Sequence, residues 1–283
     1  LNEKLPVSVI VLTKNEEAGI ALTLSKLRDF EEVIVVDSHS TDSTVEIARS
    51  RGARIVEFTW NGEYPKKKQW SLDNAGALNK WVLLLDADEY PSPELVDEIS
   101  ALHLGSEGVA AYNIPLAYRF GGRILRFGHR VTKRSLLDID RVRFPNVNDL
   151  AAPGIREVEG HYQPQSSARI ATLRSRIVHD DRDPISTWFS RHNRYSDWEA
   201  HLRMDRTARS DIASKRSTMG SLFDRVPAKP LAFFVYSYLA RGGVFDGRAG
   251  FDYAFALSAY YWQIGVKYRE LQRQRFAKSS GAE

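Results

Sequence analysis

Cysteine is absent from the 283-residue chain. That excludes disulfides and thiolate-bound metals, and leaves oxygen and imidazole as the metal donors. Long apolar runs are missing too, and none approaches the roughly 20 residues needed to cross a bilayer. Leu1 to Pro6 are not followed by the apolar stretch and small-residue cleavage site of a secretory signal. These absences together lead us to expect a cytoplasmic protein. There is no glycine-rich turn after the first apolar run, neither G-x-G-x-x-G nor a P-loop, so a bound nucleotide would need another means of holding its phosphates. No nucleic-acid-binding motif is recognisable, and nucleic acid is not an expected partner.

The chain does have an ordinary globular composition, 43% apolar and 27% charged, and length enough for one large domain or a domain with an extension. Its net charge of +4 is unevenly spread. From His201 to Glu283, 14 Lys/Arg face 7 Asp/Glu, a surplus of +7, so the first 200 residues carry −3. A basic end suits an anionic partner such as membrane lipid.

Val7 to Leu12 is a β-branched apolar run that predicts the first strand. Asn15 is the expected N-cap of a helix carrying Ile20, Leu24 and Leu27 on one face. Val33 to Val36 predicts the second strand, and Ser43 with Glu46 spells a capping box for a helix to about Ser50. Ala53 to Phe58 is the third strand, Lys66 to Ala77 a helix, and Trp81 to Leu85 a strand buried on both faces. Ser92, with Pro93 behind it, caps a helix to about Leu102. Strands alternating with helices over short connections predict an α/β, doubly wound, mostly parallel sheet. In such sheets ligands bind beyond the carboxyl ends of the strands. Thr13 to Asn15, Asp37-Ser38 and Asp86 to Asp88 all lie at such ends. Asp86 and Asp88 would share one side if the extended path continues, and two like charges there are tolerable around a hard cation. Lys66, Lys67 and Lys68 are the natural substitute for a glycine loop as a phosphate contact.

The segments V-I-V-L-T-K-N-E-E, V-I-V-V-D-S-H-S-T-D-S-T and V-L-L-L-D-A-D-E are similar to three ordered motifs of family 2 glycosyltransferases. Val7 to Glu98 resembles the nucleotide-binding half of their GT-A fold. The resemblance implies inverting transfer from a nucleotide-diphosphate sugar, UDP-linked, with Mn2+ or Mg2+. It places Thr13, Asn15, Glu16, Asp37, Ser38, Lys68, Gln69 and Asp86 at the nucleotide, and Asp88, Asp86 and His179 at the metal. Ile177-Val178-His179, Arg191 to Ser196 and G-x-x-D-G-R-A-G-F (Gly243 to Phe251) further resemble the lipopolysaccharide-core β-1,4-glucosyltransferase type. That type carries V-H-E where this chain has Ile155 to Tyr162. The motif is not reproduced, so its glutamate, the implied general base, falls to Glu159, favoured because Gly160 permits close approach, or to Glu157, with Asp149 a further alternative.

The expected organisation is a nucleotide-sugar-binding half (1–105), an acceptor-binding half of the same domain (106–200) and a helical, aromatic-rich extension (201–283). Aromatic positions 188, 189, 192 and 195 fall at helical spacing and are expected to pack. Pro230 to Tyr238 and Tyr253 to Trp262 are too short to span a bilayer. With Arg225, Lys229, Arg241, Lys267, Arg269, Arg273 and Arg275 around them, they suit helices lying on the inner surface of the cell membrane, or a homo-oligomer contact. A lipid-linked or lipopolysaccharide glycan is the expected acceptor. The alternatives are a sugar nucleotidylyltransferase and a non-catalytic protein binding anionic membranes.

Overall fold

Alternation along the central strands gives the sheet two buried faces. In β1 (Leu5–Thr13), Val7, Val9 and Val11 join one core cluster, and Ile10 and Leu12 join another. The division continues in β2 (Phe30–Asp37), with Val35 opposite Ile34 and Val36, and in β4 (Trp81–Asp86), with Leu83 and Leu85 opposite Val82 and Leu84. Successive side chains of a strand point to opposite faces, so an unbroken apolar run needs cover on both sides. Ile20 and Leu24 of α1 (Ile20–Ser25), Ala48 of α2 (Thr44–Ser50), and Leu95 and Ile99 of α4 (Pro93–Ser100) cover one face. Leu72 of α3 (Lys67–Asn74) covers the other. Each fully buried Val, Leu or Ile contributes roughly 1.5–3 kcal/mol.

This computed structural model describes residues 3–105, 108–154, 157–159, 162–205 and 228–280, with side chains to 277. Gly160, the reason for favouring Glu159, lies outside the described residues, as do Ile155, Arg156, His161 and Arg225. The described chain falls into two units. One is Leu1–Phe120, Arg130–Pro145 and Glu157–Arg182; the other is Gly121–His129, Asn146–Arg156 and Asp183–Glu283. The division is not in chain order.

In the first unit β3 (Arg54–Glu57), β2, β1 and β4 are parallel neighbours. The sheet runs on as β8 (Thr132–Asp138), β6 (Val109–Phe120), β10 (Ile177–His179) and β5 (Glu89–Pro91), with β9 (Arg169–Thr172) also on β6. β8 is antiparallel to β4 and β6, and β5 is antiparallel to β10. The doubly wound, mostly parallel sheet expected from sequence is therefore present, extended by a mixed half.

Several local expectations give way. Asn15 is not an N-cap; it sits at φ +57°, and α1 starts only after Gly19. Its side-chain oxygen instead accepts from Thr41 N at 2.8 Å, tying the β1 loop to the β2 loop. The Ser43/Glu46 capping box does not form, because Ser43 makes no side-chain cap and its N–H is taken by Glu17 at 3.0 Å. Ser92 does cap α4, accepting from Leu95 N at 3.3 Å.

The second unit contains β7 (Arg123–Ile124), α5 (Ile185–Met204), α6 (Lys229–Val235), a π turn (Tyr236–Ala240), a 3-10 turn (Gly243–Asp246) and α7 (Gly247–Ser280). Lys267 of α7 donates to Asn193 O at 2.8 Å and pairs with Asp197 at 2.6 Å, joining α7 to α5. Three of the four aromatic positions of α5 pack as expected, Phe189 remaining 49% exposed: Trp188 stacks on His192 with centroids 3.6 Å apart, His192 meets Tyr260 of α7 edge-on, and Tyr195 lies 5.7 Å from His192. The G-x-x-D-G-R-A-G-F segment is a structural joint. Asp246 accepts from Arg126 N and Phe127 N, and a Cβ on Gly250 would collide with the Gly243 carbonyl.

His129 in this unit stands edge-on to Phe233, 5.1 Å between ring centroids. Burial, helped by Arg241, lowers its pKa from 6.5 to about 4. As pH falls the unfolded chain takes up this proton before the folded one, so stability is present above pH 6.5 and is lost as pH falls towards 4. The loss is roughly 3 kcal/mol. His129→Phe removes the titration, so the variant should gain thermal stability relative to wild type on acidification. A constant difference in Tm between the two from pH 7 to pH 4.5 would refute this.

Candidate functional site

Register levels three strand ends. Thr13 pairs with Asp37 across β1 and β2, and Leu12 pairs with Asp86 across β1 and β4. Thr13 Oγ1 donates to Asp37 Oδ1 at 2.9 Å; Ser40 N and Oγ donate to the same carboxylate at 2.8 and 2.5 Å. An ionised carboxylate has about four acceptor sites, and among the described residues these bonds use three of them. Thr13 O accepts from Ser38 N at 3.1 Å and from Lys67 Nζ at 2.6 Å. Glu16 N donates to Thr44 Oγ1 at 2.7 Å. Ser38 is buried, and its Oγ has no hydrogen-bond partner among the described residues. Thr13, Asn15, Glu16, Asp37 and Ser38 are thus brought together, largely by bonds that shape the two loops.

The lysine run is mostly interior. Lys66 and Lys67 are buried, and burial lowers the Lys67 pKa to about 8 against the pull of Glu157 and Asp37. Lys68 alone of the three is partly exposed. Gln69 is buried and used at both ends, donating to Asp73 Oδ1 at 2.9 Å and accepting from Phe144 N at 2.7 Å. Lys66, Lys67 and Gln69 are packed into the unit with the first turn of α3, which leaves Lys68 as the residue of the run open to a ligand.

β4 ends at Asp86 and the chain turns at Ala87-Asp88, so the two aspartates are not placed by strand alternation. Lys133 of β8 donates to Asp86 Oδ2 at 2.8 Å and also to Glu89. Glu89 accepts from Asp86 N at 2.9 Å as well. Burial would raise the Asp86 pKa, but Lys133 and Lys68 override it and hold the carboxyl well below its ordinary range. Glu89 is pushed up by burial, with Asp86 adding to the rise against the pull of Lys133. Burial works against the charge on Lys133 as well, yet Asp86 and Glu89 keep its pKa above that of a free lysine.

Asp88 instead faces His179, with Nε2 and Oδ2 3.4 Å apart. β10 sets this pair: His179 is in register with Glu89 of β5, and Asp180 N donates to Asp88 O at 2.8 Å. Burial opposes charge on His179, but Asp88, Glu89 and Asp86 outweigh it and raise its pKa. Its Nδ1 is buried with no hydrogen-bond partner among the described residues. Carboxylate oxygen suits Mn2+ or Mg2+, and a cation at a nucleotide takes one or two carboxylates, with phosphate, water and, for Mn2+ more readily than for Mg2+, an imidazole completing its shell. Asp88 and His179 fit as that protein half. Among the described residues no three His, Asp or Glu side chains gather into a full cage. Asp86, the other expected ligand, is bound to Lys133.

The two glutamates differ sharply. Glu159 is 2% exposed, and its oxygens accept from Lys68 N at 2.7 Å and Gln69 N at 2.9 Å. It caps the start of α3, where free N–H groups and the helix dipole favour an anion. Burial raises its pKa against those bonds. Glu157 retains 26% side-chain exposure beside Lys14 Nζ at 3.5 Å, and its carbonyl accepts from Lys67 N at 2.8 Å. Of the two candidates, Glu159 is thus enclosed with its oxygens on two helix amides, and Glu157 is the more accessible. Asp149, in the other unit, is buried and accepts from Trp198 Nε1 at 3.3 Å. Sequence reasoning missed Lys133 and Glu89. Glu89 adjoins the D-x-D, whereas nothing local marks Lys133, 47 positions beyond Asp86.

The family model described as Glycosyl transferase family 2 matches residues 8–153. An uncharacterized glycosyltransferase of Rickettsia typhi is 40% identical over 119 residues, 41% of this chain and 40% of that protein. The lipopolysaccharide core biosynthesis glycosyltransferase LpsC of Rhizobium meliloti is 28% identical over 116 residues, 39% of this chain and 42% of its own. The chain spans about two fifths of the length of these curated relatives. A glucosyl-3-phosphoglycerate synthase from Mycobacterium tuberculosis, crystallised with Mn2+, UDP and glucosyl-3-phosphoglycerate, is 29% identical over 43% of this chain and 46% of its own, with a TM-score of 0.33. A score that low leaves the fold to be read from the strand order.

Proposed function

This chain belongs to glycosyltransferase family 2, and we propose that it moves a sugar, with inversion, from a nucleoside-diphosphate donor, a UDP-sugar, to a glycan hydroxyl. The acceptor we propose is a lipid-linked or lipopolysaccharide-type glycan at the inner face of a bacterial membrane; the likeness to LpsC favours that class. One observation carries the donor reading: the ends of β1, β2 and β4 are level, with Asp37 and Asp86 on them and the Asp88–His179 pair just beyond. That is where open α/β sheets take their ligands.

Mn2+ or Mg2+ held by Asp88 and His179 would act as a Lewis acid on the negative charge that develops on the departing diphosphate. The Asp37 loop would take the base and ribose, and Lys68 would add positive charge at the phosphates. Glu157 would receive the acceptor's proton, since a base must be accessible and within hydrogen-bond reach. Glu159 would be a positioning residue that fixes the segment carrying Glu157 to α3.

Glu157→Gln should lower kcat on the order of a thousandfold with little change in Tm. Glu159→Ala should chiefly cost stability, about 1 kcal/mol for a lost cap. Full activity in Glu157→Gln, with loss in a stably folded Glu159→Gln, would reverse the two roles. The reaction itself is tested by a nucleotide-sugar panel with Mn2+ and Mg2+, scored for the released nucleotide. Nucleoside diphosphate release supports it. Pyrophosphate release would instead mean nucleotidyl transfer.

A further inference from the structure

The second unit exposes an apolar surface that its own packing does not use. Along α6 and the π turn, Leu231, Val235 and Leu239 recur every four residues and are 65%, 44% and 58% exposed, while Phe233 and Ser237 between them are buried. Along α7, Phe251, Phe255 and Trp262 share a face at 41%, 59% and 58% exposure. Such spacing puts each set on one side of its helix. The two rows are continuous. Phe234 stacks on Tyr238 at 5.3 Å, and both meet Phe251 edge-on at 5.5 Å. Phe251 in turn lies parallel to Phe255 at 6.0 Å. At the turn joining the rows, Phe245 is 76% exposed and rests on Phe127.

Contiguous exposed apolar surface of this kind marks an interaction site. The charges around it favour one occupant. Arg241 is exposed at the turn, and the Arg248 side chain is 92% exposed one turn before Phe251. Asp252 lies 3.6 Å from Arg248. An exposed pair of that length in water holds neither group firmly. Among the described residues no helix is long and apolar enough to cross a membrane.

We propose that this face, formed by α6, the π turn and the start of α7, lies in the interfacial layer of a bilayer containing anionic lipid. Leu, Phe and Trp enter the acyl boundary and Arg241 and Arg248 remain at the headgroups. Amphipathic helices bind bilayers this way, by buried apolar area together with attraction to anionic headgroups. Nothing in this depends on the donor chemistry, so binding is measured without nucleotide.

The test is co-sedimentation of the full chain with vesicles of phosphatidylglycerol and phosphatidylethanolamine, against vesicles of phosphatidylcholine alone. Binding should be at least tenfold tighter to the anionic vesicles. Leu231→Ser/Phe245→Ser/Phe255→Ser alters three side chains that are more than half exposed. It should weaken binding a further tenfold or more with an unchanged circular dichroism spectrum. Arg241→Glu/Arg248→Glu should abolish the anionic preference, and it keeps the proposal testable if the triple variant misfolds. Wild-type protein left in the supernatant overturns the proposal. So does a dimer in light scattering that the triple variant dissociates while vesicle binding is unaffected, since a second copy would then cover the face.

Discussion

Asp88→Ala is expected to lower turnover on the order of a thousandfold and to leave the fold intact. Its side chain does little for stability: it is 15% exposed, and among the described residues its one polar contact is with His179 at 3.4 Å. What secures the turn is the backbone, through Asp180 N on Asp88 O, and alanine keeps that bond. The side chain does supply the charged half of the pair proposed to hold the divalent cation. Without it the negative charge on the leaving diphosphate loses its main stabilisation, a loss of several kcal/mol. Two measurements separate the outcomes: steady-state transfer at saturating Mn2+, and Mn2+-dependent UDP binding by calorimetry. Both should fall while Tm moves by little. Near-wild-type turnover with metal present would remove Asp88 from the site.

Lys133→Met is expected to be the most destabilising single change in the first unit. Lys133 is 8% exposed and is the cation to which Asp86 and the 1% exposed Glu89 are bonded. Methionine keeps most of the volume and removes the charge, leaving a buried carboxyl that lacks its cation. Breaking a buried pair from one side costs about 3 kcal/mol or more, roughly 6–12 °C in Tm at this chain length. Part of the cost is avoidable, because Glu89 is already pushed towards its neutral form. Lys133→Met/Glu89→Gln should therefore recover much of the lost Tm while remaining weak in catalysis, since Asp86 is no longer held. Equal Tm for wild type and Lys133→Met would show that the ammonium is not structural. A double variant no more stable than the single would show that Glu89 is not its partner in the core.

Much of the parallel half of the first unit was legible in the chain. Val7 to Leu12, Val33 to Val36 and Trp81 to Leu85 are short apolar runs ending in polar clusters, and each became a strand of the parallel sheet. Asx and Ser/Thr signals were less dependable. Ser92 capped its helix, whereas the Asn15 side chain accepts from Thr41 N across 26 residues and at Ser43 it is the backbone N–H that bonds, to Glu17. A capping residue signals that a backbone amide needs a partner, but several amides can compete for it.

Side-chain period and connection length are local properties, so the chain alone settled the parallel strands β1 to β4 and the gathering of Thr13, Asp37 and Asp86 at their ends. It could not assign work to individual charged groups. Glu159 and Glu157 are two positions apart and chemically identical. One closes the amides of α3 from 90 residues away, and the other keeps a free face beside Lys14. Lys66 and Lys67 look solvated as a run, yet both are buried. Lys133 binds Asp86 because β8 lies antiparallel beside β4. His179 reaches Asp88 because β10 pairs with β5. These are consequences of sheet register between distant segments, which only the tertiary structure decides.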